Sequence, residues 1–412
     1  MKEDFSFIVN GIEAFQKKTN SPWSDLTVGI AGDVLQELMD HKVLYHLPLL
    51  DYALFHPRNL EEAKAVTAEF AARGCKTACD KFSALPGVEL WIYVFSPDVP
   101  VPQGPCAPLP ESLNWRTPFS SWQKLDSAAL PGEMTPFVFK NEHYRLENVL
   151  AHFLTPGSPV GSRPWENHFR IRRESDDRLI SIPLLNHYFG SAFVWGERCY
   201  CFSSTQGKRG WCLEMISSED LISWTSPVCI FETDSPSNCI CNSSVTFDGE
   251  RFVLLYECSD PKFPVYTFKF LSSADLCKWQ EIPDAICLDL KYGGGPAIYR
   301  AGEFYYVTFV DLFIHPVERR LAFRTSVTRS KDLVTWQEAP EERPVLLPDF
   351  ASRPDPEGHP EIYDVNASDA EFIQEPDGVR VCYNGGNQWG VSDNRRAFYP
   401  GTLKEFFESF FR

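Results

Sequence analysis

"SSADLCKW" at residues 272–279 has two relatives in the same chain, "SSEDLISW" at 217–224 and "RSKDLVTW" at 329–336. A serine, an Asp-Leu pair and a tryptophan at fixed offsets, written three times, mark a repeated structural unit, because residues present in every copy cannot all stand in one active site. Ser and Asp side chains can accept hydrogen bonds from turn amides, leucine can plug inward, and an indole can cover the gap between neighbouring units. The aspartates Asp220, Asp275 and Asp332 recur at nearly even intervals.

A second element keeps the same beat. "FVFKNEHYRL", "FVWGERCYCF", "VTFDGERFVLLY" and "IYRAGEFYYVTF" each set a glutamate (Glu142, Glu197, Glu250, Glu303) after Asn or Gly between apolar runs, and "AEFIQEPDGVRVCYNG" is a fifth version. Alternating aromatic and β-branched residues around Gly/Asp turns are the hairpin signal. Five units of roughly fifty residues, none able to bury both faces of its sheet alone, predict a mainly β chain built as a five-bladed β-propeller over 132–412. Residues 1–95 read as a mainly α-helical N-terminal region: Phe5, Ile8, Ile12 and Phe15 share one face, and Asn59 and Gly74 bracket a second helix. The proline-rich stretch 96–131 reads as a linker or strap.

At 412 residues, 43% hydrophobic and 14% aromatic, the chain has ample material for a large core. Its net charge of -17, with no Lys/Arg run, argues against nucleic acid and anionic membrane as partners. The acidic opening and the lack of a long apolar run predict a cytoplasmic protein without a signal peptide or membrane span. Thirteen cysteines without a C-x-x-C pair are expected to be buried thiols, with no disulfide, no metal and no cofactor.

"PAIYRAGEFYYVTF" followed by "TSVTRSKDLVTW" resembles the blades of five-bladed propeller glycoside hydrolases, the family 43 arabinanases and xylosidases and their relatives, over about residues 132–412. The sialidase repeat is a rival, but there a glycine stands two positions after Asp and the Trp one step later. The resemblance implies three carboxylates at inner-strand ends, serving as base or nucleophile, pKa modulator and acid. This chain departs from that pattern: "GEMTP" leaves only Glu133 in blade one, Asn242 replaces an Asp, and Gly295 occupies the general-acid position.

Other groups are available at strand ends. Glu147, Glu257 and Asp311 each close a second strand, and "DVNASDAEF" presents Asp364, Asn366 and Asp369 at an inner-strand start. Glu257 with Asp311 is the expected acid-base pair, assisted by His187 or Asp369, with Glu147 a further candidate. Asn242, Asn366 and the amides and indole of "CYNGGNQWG" (Asn387, Gln388, Trp389) are expected to bind sugar by hydrogen bonding and stacking. Arg170, in "NHFRIRRES", suits a carboxylated sugar, as do its neighbours Arg172 and Arg173.

These readings predict an enzyme, a glycosidase removing a terminal sugar from a small oligosaccharide. Two alternatives stay open: a propeller lyase acting beside a uronic acid through His187 and the arginines, and a non-catalytic sugar-binding propeller. The N-terminal helices are candidates for capping the mouth or for a homodimer contact.

Overall fold

The repeated corner does what its residues predict. Ser218 Oγ accepts from the Leu221 amide at 2.8 Å, and Asp220 Oδ1 accepts from the Ile222 and Ser223 amides at 2.8 and 2.7 Å. Asp275 and Asp332 receive the same pair of amides in their copies. These donors hold the Asp220 and Asp332 carboxyls down to about 2. The leucines that follow are left-handed, with φ of 63, 63 and 67° at Leu221, Leu276 and Leu333. That conformation costs a branched residue about 1–2 kcal/mol, and burial of a leucine, which contributes about 1.5–3 kcal/mol, offsets it. Each indole donates to the leucine carbonyl and packs into a seam between sheets.

Leu333 is fully buried, so Leu333→Ala is expected to lower unfolding free energy by about 2–5 kcal/mol in denaturant titrations. Because φ at this position suits glycine, Leu333→Gly should be no worse than Leu333→Ala. A markedly less stable glycine variant would show that the left-handed backbone carries no strain.

The computed structural model describes residues 2–44, 50–101, 106–113, 115, 123–128, 133–150, 166–263, 266–355, 357–360, 362–388 and 391–412. The expected helices are present: α1 (Phe5–Thr19), α2 (Val34–Asp40) and α3 (Leu60–Ala72). The N-terminal region is not helical alone, however. β1 (Thr27–Ala31), β2 (Leu50–Phe55), β3 (Lys76–Cys79) and β4 (Trp91–Pro100) form a sheet of order β2-β4-β1-β3, with β1 and β3 parallel. Helices α1 and α3 bury Ile8, Ile12, Val66 and Phe70 against this sheet. On the other side α2 and β2 share a core with Val310, Leu312, Leu321 and Phe323 of the later chain. The join is reinforced by Arg320 on Asp51 and Arg319 on Glu3.

Five four-stranded antiparallel sheets follow. In chain order, sheet I is β6 to β9 (Glu133–Phe139, Glu142–Val149, His168–Arg173, Leu179–Leu185), and sheet II is β10 to β13 (Tyr188–Trp195, Arg198–Gln206, Trp211–Ser218, Val228–Glu232). Sheet III is β14 to β17 (Ile240–Phe247, Phe252–Cys258, Thr267–Ser273, Gln280–Cys287), and sheet IV is β18 to β21 (Gly294–Ala301, Phe304–Ile314, Leu321–Ser330, Trp336–Glu338). Sheet V is β22 to β24 (Ser368–Glu375, Gly378–Gly386, Ser392–Tyr399), closed by β5 (Gln123–Ala128) from the proline-rich stretch. The proline-rich strap thus supplies a strand to the last sheet. The first strands β6, β10, β14, β18 and β22 touch in turn, and β22 returns to β6. A final helix, α4 (Leu403–Ser409), packs Phe406 and Phe407 over sheets IV and V.

Four seams between sheets are apolar clusters. The seam between V and I is ionic instead. Arg145, 2% exposed, binds Glu147 at 2.6 Å, Glu174 at 3.4 Å and Asp177. From sheet V, Arg396 reaches Glu174 at 2.8 Å, while Arg380 and His143 meet on Glu375.

Eleven cysteines are free thiols, eight of them buried. Cys212 and Cys229, on adjacent strands with Cα atoms 6.1 Å apart, are disulfide-linked, which corrects the expectation of thiols throughout.

Candidate active site

Four of the five first strands carry a bulge near their start, between Tyr188 and Ser191, Cys241 and Ser244, Gly294 and Ala297, and Ser368 and Glu371. At each bulge one residue has positive φ: Phe189 (53°), Asn242 (41°), Gly295 (49°) and Asp369 (52°). Bulges re-aim side chains, and strained backbone of this kind clusters at functional sites. Asn242, Gly295 and Asp369, with Glu133, Glu371 and Ser243, line a small, partly open cavity where the first strands meet.

Gly295 explains how the site is arranged. A Cβ there would collide with Asp369 Oδ1, so the space a side chain would need is filled by a carboxylate from sheet V. The Gly295 amide donates to Glu257 Oε2 at 2.8 Å, and Asn242 Nδ2 and Cys241 Sγ donate to the same carboxylate at 3.0 and 3.3 Å. Burial nonetheless pushes Glu257 up to about 7. Asp369 is also raised by burial, with donors Ser368, Asn384 and Gln388 opposing the shift. Glu371 rises to about 8, again through burial, although Tyr299 Oη donates to it at 2.9 Å. Glu133 is driven well above the usual carboxylate range by burial and then by the charges of Asp369, Glu257 and Glu371. Three carboxyls thus line one cavity with Glu257 a layer behind, and like charges prevent all four from ionising together.

Stability follows in sign. The fold favours the protonated form of Glu371, so its contribution is complete below its ordinary 4.5 and is lost as pH rises to about 8. Wild-type protein is expected to melt progressively lower across that window, and Glu371→Gln should flatten the profile. Parallel profiles for the two proteins would mean that Glu371 stays ionised in the fold.

Of the residues singled out in the sequence, Asp369 and Asn242 line this cavity, and Glu257 stands directly behind Asn242. Gln388 and Asn366 stand one layer behind: Gln388 Nε2 donates to Asn366 Oδ1 at 3.0 Å, and Asn366 Nδ2 to Ser368 Oγ at 2.9 Å. Trp389 lies outside the described residues. Asn387 lines a separate, mostly apolar cavity beside Tyr52 and Phe323, and its Oδ1 accepts from the Val391 amide.

The remaining expected catalytic groups are placed elsewhere. Asp311 accepts from Arg324 at 2.7 and 2.9 Å and from Ser326, with Lys291 3.7 Å away, and these cations hold its carboxyl low. His187 spans Glu214 Oε2 at 2.9 Å and the Leu185 carbonyl at 2.8 Å. Glu147 is gripped by Arg145, Arg170 and Arg172, which uses Arg170 as well. Glu371 was missed, although it follows Asp369 by two positions on a strand already picked out. Glu133 was noticed only as the acid of "GEMTP".

No family model matches the sequence, and no curated protein matches it. Among solved structures the chain is similar to a thermostable family-43 glycoside hydrolase (10% identity over 66% of this chain and 90% of that one, TM-score 0.49). It is similar to a Bombyx mori GH32 beta-fructofuranosidase (10%, 72% and 69%, 0.46) and to an exo-1,5-alpha-L-arabinanase from a bovine ruminal metagenomic library (10%, 66% and 93%, 0.45). These structural neighbours are glycoside hydrolases, the group that its blade-like strands resemble.

Proposed function

We propose that the five sheets are the blades of a five-bladed propeller and that the protein is a glycoside hydrolase, removing a terminal sugar from a small oligosaccharide at the central cavity. The observation that carries this reading is the set of buried, differently hydrogen-bonded carboxyls around one small cavity, since glycoside hydrolysis needs an acid and a base flanking one bond. Glu133, for which no hydrogen-bond donor stands among the described residues, keeps its proton and is the general acid toward the glycosidic oxygen. Asp369, which accepts hydrogen bonds that favour its anion, faces the positive charge that develops at the anomeric carbon. Glu257 is held by Gly295, Asn242 and Cys241 and modulates both through its charge.

The lyase reading loses support because His187 and Arg170 are bound to Glu214 and Glu147, away from the cavity. The free thiols favour a cytoplasmic setting, against which the Cys212–Cys229 disulfide is the one contrary feature; among the described residues no helix is long and apolar enough to cross a membrane. With α2 turned toward sheet IV, a homodimer contact would fall to α1 and α3.

Mass spectrometry of a mixed neutral, amino and acidic oligosaccharide pool after incubation with the protein tests the reaction. Products whose summed mass exceeds the substrate by one water are expected. Fragments without added water would establish a lyase, and an unchanged pool a binding protein.

A further inference from the structure

Glycoside hydrolysis needs an acid and a base, the parts given above to Glu133 and Asp369 with Glu257 behind them, yet a further carboxyl, Glu371, lines the same cavity. Among the described residues no Lys, Arg or His lines it. The arginines of neighbouring strands are committed elsewhere, Arg170 to Glu147, Arg324 to Asp311 and Arg395 to Asp364. Without a cation, burial keeps the Glu371 carboxyl protonated, and a positive ligand beside it is what would let it ionise and form an ion pair.

An independent observation points to a ligand at the same wall. Ser243 is 2% exposed, lines the cavity beside Asn242, and its Oγ has no hydrogen-bond partner. A buried hydroxyl without a partner costs free energy, and a sugar hydroxyl is the complement it lacks.

We propose that the sugar residue taken by this cavity carries a protonated amine: an amino sugar, bound through its ammonium by the surplus carboxyl, Glu371, and through a hydroxyl by Ser243. Uronates are excluded by the same charge. The inference rests on the reading of this cavity as the sugar site, but its test needs no turnover.

Three small polyols of nearly one shape separate charge from size and stereochemistry: tris(hydroxymethyl)aminomethane as the cation, pentaerythritol as the neutral form and 2,2-bis(hydroxymethyl)propionate as the anion. Calorimetric titration of the full chain in phosphate buffer at about pH 7 is expected to show the cation binding at least about tenfold more tightly than the neutral polyol, with no binding of the anion. Ser243→Ala should weaken cation and neutral polyol alike, whereas Glu371→Gln should weaken only the cation. Equal binding of cation and neutral polyol, binding of the anion, or binding of none of the three overturns the proposal. Cation-selective binding with an unchanged oligosaccharide pool would instead remove the hydrolase reading and leave this one standing.

Discussion

Asp369→Asn is expected to lower turnover of the substrate found in the mass assay by about 10²–10⁴-fold, the usual contribution of a positioned acid or base. The amide keeps the shape and the Ser368 and Asn384 contacts can re-form, so the fold should survive. Loss of rate without loss of melting temperature is the signature sought. Glu133→Gln should match it on natural glycosides but should spare substrates with a good leaving group, because a protonated acid matters only where the departing oxygen needs its proton. Asp311→Asn serves as the contrast: it breaks the pair with Arg324, so it should lower stability and leave the chemistry intact. If Asp311→Asn silences the enzyme while Asp369→Asn does not, the assignment of the cavity is wrong.

The second large effect concerns Arg145. Its guanidinium is the hub of the seam between sheets V and I, and replacing it strands Glu147 and Glu174, both nearly buried, without that partner. Arg145→Met should cost about 3–5 kcal/mol of unfolding free energy, the usual penalty for breaking a buried ion pair from one side. Lysine should not rescue it, since a single ammonium cannot reach Glu147, Glu174 and Asp177 in three directions. Adding Glu147→Leu to Arg145→Met should recover part of the loss, and a double-mutant cycle from chemical denaturation gives the coupling. A strictly additive pair would mean that the seam is held by packing.

What could be read from the sequence was what is local. The corner repeats because Ser, Asp, Leu and Trp satisfy one another within a few residues, so the motif names its own geometry. Asp369, Asn242 and Glu257 were legible because each sits at a strand end that the repeat locates. Asp311, Glu147 and His187 sit at equally promising ends, but their fates are set across strands: Arg324 and Arg145 neutralise the first two, and Glu214 holds the third. No spacing reveals a partner on the next strand. The same limit hid β1 and β3, short strands that pair with each other and join the rest of their sheet through β4. Gly295 looked like a deletion of function and proved to be the room into which Asp369 projects.

The closing strand β5 has a consequence for how the chain is made. It leaves the ribosome before any of sheet I, yet its partner β24 comes from near the C-terminus. At about 5–20 residues per second, the interval is on the order of tens of seconds. Throughout that time β5 presents unpaired amides and carbonyls, the kind of edge that invites pairing with a foreign chain. The ring therefore cannot be completed sheet by sheet as it emerges. Its last hydrogen bonds wait until β24 has emerged, and truncation anywhere short of β24 leaves an open strand at each end.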